Sequence, residues 1–296
     1  MSLQNGNPGS AHTPADFSNL MDLRVDYAFK LFFGSGDARY LVSLLNAVFA
    51  NKGIGRRIEK LVVANPFLER HSQSDKLSVL DIRALLDDGS TALIEMHLYD
   101  LGGMKYKTIR SWARAYGEEL AAGESYSAQP PVICVAFTNG PVESIGSEDA
   151  RANVHACCKI MDIDSKAMFS DAMELHYVNM KEAVKMIAEK SEAIDPMLMK
   201  WLALITAKDI EDKSVIENIC KEDETIAMAV TELARLSEDK IVRQAYQRRL
   251  DDIMVYNSRL SEYRKIAEHE SRRASAAEAE IESLRRQLTE LKLRSE

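Results

Sequence analysis

The chain has 296 residues, of which 46% are hydrophobic and 28% are charged, and its formal net charge at pH 7 is −8. The apolar content excludes a fully disordered chain, and no apolar run approaches the roughly 20 residues of a membrane-spanning helix. The negative charge argues against a protein that coats DNA without sequence preference, because such binding depends on neutralising phosphates. A protein that confines its basic residues to one groove remains compatible with this composition.

Residues 1–19 are rich in Gly, Pro, Ser and Asn and lack the basic-then-apolar pattern of a signal peptide. We interpret them as a flexible leader or an expression tag. The four cysteines form no CxxC pair and no disulfide framework. These features favour reduced thiols and a cytoplasmic location, and we expect no membrane association.

Helical periodicity dominates the beginning of the folded region. Apolar residues at three- and four-residue intervals predict one helix over residues 21–40 and a second over residues 39–49. Residues 58–64 have the pattern of a strand and lead to an Asn-Pro breaker. We therefore expect two helices to precede the first strand.

Two apolar runs with a period of two, residues 77–86 and 91–99, flank an Asp-Asp-Gly turn and predict a β-hairpin. A three-residue loop with Gly89 in the left-handed conformation sets the register of the two strands. Counting back along both strands places Asp81 directly opposite Glu95. Because side chains alternate between the faces of a strand, the two carboxylates share one face and the apolar residues take the other.

His97 emerges on the same face as these acids, two residues beyond Glu95. Two acids side by side repel each other, and a divalent cation would remove this cost. Carboxylate oxygens, with waters retained, are the ligands that Mg²⁺ and Mn²⁺ prefer. The alternative is that Asp81 and Glu95 are solvent-facing strand residues whose charge is relieved by Arg83 or Lys107.

The remaining elements predict a mixed sheet covered by helices, because strands and helices alternate. Residues 105–120 have a helical pattern, residues 131–138 form a continuous apolar strand, and residues 174–180 are a further short strand. From residue 181 to about residue 256 the pattern is helical throughout. The fold class is therefore α/β, followed by a helical region.

Some residues fit a functional motif only weakly. The segment at residues 155–158 contains one His and two Cys, but no second such pair lies at a usable spacing, so we predict an ordinary helix there rather than a zinc site. Trp112, Tyr116 and Trp201 are predicted to pack between helices.

The last forty residues have a heptad pattern set among many Glu and Arg residues. Its apolar positions are Leu260, Tyr263, Ala267, Ala274, Ala277, Ile281, Leu284, Leu288 and Leu291, and Glu270 interrupts them. We predict a coiled-coil arm that joins copies of the chain into a homo-oligomer. The alternative is a solvated single helix that never pairs.

Taken in chain order, these features resemble the PD-(D/E)XK nuclease-family transposases, which are relatives of the recombination-promoting nucleases. Each motif is weak alone, and their shared order over residues 21–256 makes the resemblance specific. The motifs are Asp26-Tyr-Ala-Phe29-Lys30-x-x-Phe33-Gly34, Leu44-Leu45-Asn46-Ala47, Asn65-Pro66, Asp75-Lys76, Leu80-Asp81-Ile82, Ile94-Glu95-Met96, Arg110 before Tyr116, Gly123-x-x-Tyr126, Pro131-Val-Ile-Cys-Val, His176-Tyr177 and Trp201-Leu202.

The resemblance implies a restriction-endonuclease-like core and Mg²⁺-dependent cleavage of DNA. Asp81 is similar to the motif aspartate and Glu95 to the motif glutamate, which implies that both are metal ligands. Asp26, on the first helix, is similar to the acidic residue that assists the site. The chain departs from the pattern at the third motif position, where the superfamily has lysine and this branch usually glutamine, whereas this chain has His97.

The substitution at His97 has two opposite consequences. A neutral imidazole can bind a metal or accept a proton. It lacks, however, the fixed charge of lysine and the amide donor of glutamine. The charge that the scissile phosphate needs can come from elsewhere in the site, and the candidates are Lys30, Lys105, Lys107 and Arg110, of which Lys30, Lys107 and Arg110 are the predicted substrate-binding residues.

Two functions from different classes follow. The first is a metal-dependent DNA endonuclease linked to transposition or recombination, with Mg²⁺ or Mn²⁺ as cofactor. The second is a catalytically inactive protein that keeps the fold and assembles through its coiled coil. The predicted organisation is a leader at residues 1–19, a nuclease core at 20–180, a helical extension at 181–256 and a coiled-coil arm at 257–296.

Overall fold

The computed structural model describes residues 19–64, 81–98, 103–118, 120, 123–142 and 154–295, with side chains to residue 287. The helices are α1 (Asp26–Ser35), α2 (Ala38–Ala50), α3 (Met104–Glu118), α4 (Met180–Ala188), α5 (Pro196–Ile205), α6 (Ser214–Glu222), α7 (Glu224–Glu238) and α8 (Lys240–Ser295). The strands are β1 (Leu61–Val63), β2 (Ile82–Leu86), β3 (Thr91–His97), β4 (Val132–Thr138), β5 (His155–Met161) and β6 (Met168–Asn179). Within these ranges, no helix is both long and apolar enough to cross a lipid bilayer.

The strands form one mixed sheet in the order β1-β2-β3-β4-β6-β5. Strand β2 pairs antiparallel with β1 and with β3, while β3, β4 and β6 run parallel. Strand β5 closes the far edge, antiparallel to β6. Helices α1 and α2 cover one face of the sheet and α3 covers the other, which confirms the predicted mixed sheet with helices on its faces.

The chain divides into two compact units, Met1–Tyr246 and Gln247–Glu296. The first unit contains the sheet and the helices up to the first turns of α8. The second contains the rest of α8. The sequence-based boundaries at residues 180 and 256 stay predictions, and the helical character expected after residue 181 is confirmed.

The two helices predicted before the first strand are present as α1 and α2, and the first is shorter than the predicted residues 21–40. A Cβ atom at Gly36 would overlap the carbonyl oxygen of Phe32, so only glycine allows the chain to turn this closely after α1. Asp37 then caps α2 by accepting a hydrogen bond from the backbone N–H of Arg39. The helical spacing of apolar residues continues through the break, which is why the sequence pattern extends the first helix to residue 40.

The predicted register of the β2–β3 hairpin is confirmed. Ile82 lies opposite Ile94, and the backbone N–H of Leu86 donates to the carbonyl oxygen of Ser90 at 2.9 Å. Gly89 has a φ angle of +85°, the left-handed conformation expected of the loop. Residues 65–80 and 99 lie outside the described residues, so the Asn65-Pro66, Asp75-Lys76 and Leu80 motifs and the first part of the predicted strand 77–86 are not placed.

Both faces of the sheet are packed by aromatic residues, as the helix-packing prediction requires. On the α1 side, the ring of Phe29 lies 5.6 Å from that of Phe137, and Phe33 lies 5.5 Å from the fully buried Trp201. On the α3 side, Trp112 packs against a core that lies over β4 and β6. Its buried members are Met104, Ala115, Val132, Cys134, Ala136, Val142, Leu175 and Tyr177.

The predicted helix at residues 155–158 is wrong, because these residues begin strand β5. Local composition has no strong β preference there, and the pairing with β6 decides the conformation. Lys159 lies opposite Glu174 in this pairing, and their side chains form an ion pair of 2.8 Å. The same pairing extends β6 back to Met168, six residues earlier than the predicted start of that strand.

A buried chain of hydrogen bonds crosses the α2 side of β5 and β6. The amide oxygen of Asn51 accepts from the backbone N–H of Asp195 at 2.8 Å, so its nitrogen donates to His155 Nδ1 at 2.9 Å. His155 Nε2 then lies 2.8 Å from His176 Nδ1, and His176 Nε2 lies 2.8 Å from Glu174 Oε1. Every donor in this chain has an acceptor when both imidazoles carry one proton, on Nε2.

Electrostatics agree with this arrangement of protons. Burial lowers the pKa of both His155 and His176, so both rings stay neutral in the folded protein. Burial alone would raise the pKa of Glu174, but the hydrogen bonds from His176 and Lys159 lower it to about 2. The chain therefore ends on an ionised carboxylate that a lysine neutralises.

We predict that the stability contributed by the two histidines is lost as the pH falls. Their folded-state pKa values lie below the ordinary 6.5, so the unfolded chain binds more protons below pH 6.5. The free energies of unfolding of wild type and of His155→Gln/His176→Gln should therefore converge by roughly 1–3 kcal/mol between pH 7 and pH 5. Urea unfolding at both pH values measures this. An equal gap at the two pH values would contradict the neutral pair.

Candidate active site

Asp81 and Glu95 lie where the hairpin register predicts. Asp81 directly precedes β2, and the pairing of Ile82 with Ile94 continues to place Asp81 opposite Glu95. Glu95 is 1% exposed and therefore buried, and it lies on the α3 side of the sheet. The opposite side of the same strands carries Ile82 and Ile94, which are fully buried in the core. The alternation of apolar and acidic residues thus separates the site from the core.

Three side chains hold Glu95 in its ionised form. His97 Nε2 lies 2.8 Å and Lys107 Nζ 3.5 Å from Glu95 Oε2. Burial alone would raise the pKa of Glu95, but the hydrogen bond from His97, the charge of Lys107 and a hydrogen bond from Ser111 lower it to about 2. Glu95 is therefore a carboxylate at neutral pH.

The pKa of Asp81 shifts in the opposite direction to that of Glu95. Its burial and the negative charge of Glu95 raise the pKa of Asp81 to about 7, against the opposing charges of Lys107 and Lys30. Asp26 raises this pKa further. Near neutral pH, Glu95 is therefore ionised while Asp81 is partly protonated. Added positive charge between them would favour ionisation of both acids.

Helix α1 brings two of the predicted residues to Asp81. Asp26 is in the first turn of α1, and Lys30 follows one turn later on the same side. Lys30 is 4% exposed, and burial lowers the pKa of its amine while the charge of Asp81 opposes that shift. Asp26 therefore raises the pKa of Asp81, and Lys30 lowers it.

Helix α3 approaches the site from the other side. Lys107 and Ser111 are four residues apart, so both side chains lie on the helix face that meets Glu95. Arg110 is exposed and, among the described residues, takes no part in the hydrogen bonds and ion pairs of Glu95. Arg83 instead bonds Glu118 at 3.2 Å, so of the two basic residues expected to relieve the acids, only Lys107 forms an ion pair with Glu95.

Sequence reasoning missed Ser111. The signal was present, because a residue four positions after Lys107 must share its helix face. Nothing in the sequence, however, indicates how α3 is rotated about its axis against the sheet. That rotation depends on how Trp112 and Tyr116 stack on each other and on the packing of Trp112 against the core.

Solvent has access to the site beside His97. The imidazole is 11% exposed and borders a shallow depression beyond the ends of β3 and β4, whose volume of about 10 Å³ is close to that of a single water site. Its other lining residues are Met104, Thr138, Asn139, Gly140, Pro141 and Val142. A water molecule can therefore approach the imidazole edge.

The donor set suits a hard divalent cation. A cation shared by two adjacent carboxylates would favour the ionised form of Asp81, whose pKa is raised by burial and by the charge of Glu95. In the described ranges, no three His, Cys, Asp or Glu residues are grouped to hold a metal, and the acids that meet here are two carboxylates. Mg²⁺ is commonly bound in this way, through one or two carboxylates with waters and substrate phosphate.

We predict that Glu95→Gln lowers the pKa of Asp81 from about 7 toward its ordinary value, because the negative charge beside it is removed. A pH titration of the side-chain carboxyl carbons by NMR in metal-free buffer measures this. Glu118→Gln is the matched control, since that acid is exposed and bonds Arg83 and Arg114 instead. An unchanged Asp81 titration in Glu95→Gln would show that the two acids do not interact.

Comparison with known proteins yields one family. The sequence model of the PD-(D/E)XK nuclease family transposases matches residues 23–262. No curated protein and no solved structure matches the chain. The matched range contains all the residues of the site described above and the whole of the mixed sheet.

Proposed function

Since the chain belongs to the PD-(D/E)XK nuclease family transposases, we propose that it is a metal-dependent endonuclease that hydrolyses phosphodiester bonds in DNA during transposition or recombination. The observation that carries this proposal is the buried pair of Asp81 and Glu95 on adjacent strands, with Lys107 beside it. In metal-dependent phosphodiester cleavage, carboxylates such as these hold the metal ion, and a positively charged side chain such as Lys107 lies beside it.

Asp81 and Glu95 would hold Mg²⁺ or Mn²⁺. When bound, the ion supplies an activated water and stabilises the charge that develops on the phosphate. Asp26 supports the site from α1 by adding negative charge at Asp81. The raised pKa of Asp81 means that metal binding releases a proton near neutral pH, so metal affinity increases as the pH rises.

His97 orients Glu95 through its 2.8 Å hydrogen bond. If Nε2 donates that bond, Nδ1 is the nitrogen that can accept a proton from water or hold it in place. The depression beside the imidazole gives water access to the ring. His97 thus serves as a positioning residue for the carboxylate and as the candidate base of the site.

The positive charge missing at the third motif position comes from the helices. Lys107 is 42% exposed next to the acid pair, so its amine can reach a phosphate while it remains close to Glu95. Lys30 is buried and acts on Asp81 from α1. Arg110, exposed on α3 one turn after Lys107, is proposed to contact the DNA backbone farther from the scissile bond.

We predict that supercoiled plasmid is nicked with Mg²⁺ or Mn²⁺ and that Asp81→Asn and Glu95→Gln each lower the rate by roughly 10²–10³-fold, because the charge that holds the ion is reduced. Lys107→Ala should also slow cleavage, whereas Arg114→Ala on the same helix should not. Gel electrophoresis of the nicked product measures each rate. Cleavage that survives both acid substitutions would mean that another site is responsible.

We predict that His97→Ala lowers cleavage by roughly 10²–10⁴-fold, as expected when an acid–base group is lost. His97→Gln and His97→Lys introduce the residues usual in this branch and in the superfamily, so both should retain more activity than His97→Ala. The same plasmid assay and calorimetric binding of Mg²⁺ measure these effects. If wild type, His97→Gln and His97→Lys all fail to cut single- or double-stranded DNA, the endonuclease proposal is rejected.

A second candidate function is a nuclease-fold protein that binds or assembles without cleaving. The observation in its favour is that His97 and Ser111 already donate hydrogen bonds to Glu95 and Lys107 adds a positive charge, so contacts within the chain keep this carboxylate ionised. In either case, we propose that copies assemble through α8. Calorimetry separates the two functions, because only the first requires Mg²⁺ binding that disappears in Asp81→Ala.

A further inference from the structure

The second compact unit exposes an apolar stripe along α8. This helix runs for 56 residues, and its large apolar side chains beyond the first unit remain in contact with solvent. Tyr263 is 69% exposed, Ile266 53%, and Ile281 and Leu284 52% each. A helix can bury such a stripe only against another apolar surface.

The stripe follows a heptad repeat with a constant phase from Leu260 onward. Assigning Leu260 to position a places Leu260, Ala267, Ala274, Ile281 and Leu288 at a and Tyr263, Glu270, Ala277, Leu284 and Leu291 at d. Four consecutive seam positions from Ile281 to Leu291 are large and aliphatic. A seven-residue period sustained in this way is typical of a left-handed coiled coil.

The residues at the seam indicate how many strands pair. Ile281 at a followed by Leu284 at d is the combination that favours two-stranded parallel coils. The small residues Ala274 and Ala277 allow close approach of two helices in the preceding heptad. Glu270 at d is an exposed acid whose carboxylate bonds Arg273 of the same helix at 3.0 Å, so its charge is compensated at the seam.

The flanking charges specify the partner and its direction. In the heptads around Ile281, positions g and e carry Arg273, Glu278, Glu280 and Arg285, whereas Arg259 at g and Arg264 at e, at the start of the stripe, are both basic. In a parallel, in-register pair each g residue meets the e residue five positions later on the other helix. Arg273 then faces the partner's Glu278, and Glu280 faces the partner's Arg285. Because the pair has two-fold symmetry, each of these attractive contacts occurs twice. The charges on one helix are therefore complementary to those on its copy.

The antiparallel alignment centred on the same stretch is less favourable. It places Leu288 against the partner's Ala277, so that large side chains meet small ones. It also pairs Arg273 with the partner's Arg294, which are like charges, and Glu278 with the partner's Arg285, which are opposite charges. Over this stretch the parallel alignment has two kinds of attractive contact and no repulsive one, so apolar matching and charge both favour the parallel arrangement.

We infer that α8 pairs with α8 of a second copy as a parallel, in-register, two-stranded coiled coil, selected by the Arg273–Glu278 and Glu280–Arg285 pairs. This inference rests on the proposed assembly through α8. Its consequence is that each assembly contains two copies of the Asp81–Glu95 site.

Charge exchange tests the pairing directly in the full-length protein. Arg273→Glu/Arg285→Glu makes both of these contacts acidic, and Glu278→Arg/Glu280→Arg makes both of them basic. Each variant alone should dissociate with a Kd raised roughly 10–100-fold, and an equimolar mixture should form a heterodimer. The matched control is Lys265→Glu/Arg272→Glu, which changes the net charge by the same amount at outward-facing f positions and should stay dimeric. Light scattering measures the masses.

A disulfide test fixes the direction of the helices. In the parallel, in-register pair the two copies of residue 277 face each other across the seam, so mild oxidation of Ala277→Cys should give a covalent dimer on a non-reducing gel. Ser283→Cys, at the outward-facing position c, should not crosslink. Wild type, whose four cysteines are buried or half-buried, sets the background.

The outcomes separate this inference from the proposals on which it rests. A wild-type mass of one chain, unchanged by truncation after Tyr256, overturns assembly through α8 itself. A dimer that survives both charge-reversal variants, or whose Ala277→Cys form stays uncrosslinked, overturns the parallel, in-register pairing alone. Neither measurement depends on DNA cleavage, so an inactive enzyme would leave the test intact.

Discussion

The pairing of β2 with β3 is the constraint on which the candidate site depends. The register fixes Asp81 opposite Glu95 and, by alternation, sends Ile82 and Ile94 into the core. A slip of one residue would turn the acids toward the aromatic rings of α1, away from His97, Lys107 and Ser111, and would turn the isoleucines toward α3, at a cost of several kcal/mol. Burial of the apolar face therefore keeps the acids on the opposite face of the hairpin. The tight turn at Gly89 determines which residues of β2 and β3 pair.

Two carboxylates forced together acquire different properties from their neighbours. Glu95 receives hydrogen bonds from His97 and Ser111 and the charge of Lys107, and stays ionised. Burial and the negative charge of Glu95 raise the pKa of Asp81 to about 7, while the charges of Lys107 and Lys30 oppose that rise. Added positive charge beside the pair would therefore favour the ionised form of Asp81.

A second buried polar network lies on the α2 side of the sheet, and it differs from the acid pair because its charge is balanced within the network. From Asn51 through His155 and His176 to Glu174, every donor has an acceptor, and Lys159 balances the final charge. A network completed in this way stabilises the pairing of β5 with β6 and offers no excess of charge to a ligand. The two groups differ in that one ends on a single carboxylate balanced by a lysine, whereas the other brings two carboxylates together.

The hairpin register, the left-handed Gly89, the shared face of Asp81, Glu95 and His97, and the mixed sheet were predictable from the sequence, because each follows from local periodicity and turn chemistry. Three features were not: residues 155–161 form a strand, Lys107 rather than Arg83 reaches Glu95, and Ser111 donates to Glu95. These features depend on pairing with a distant strand and on the rotation of α3 against the sheet. Both are set by long-range packing, which leaves no signature in a window of neighbouring residues.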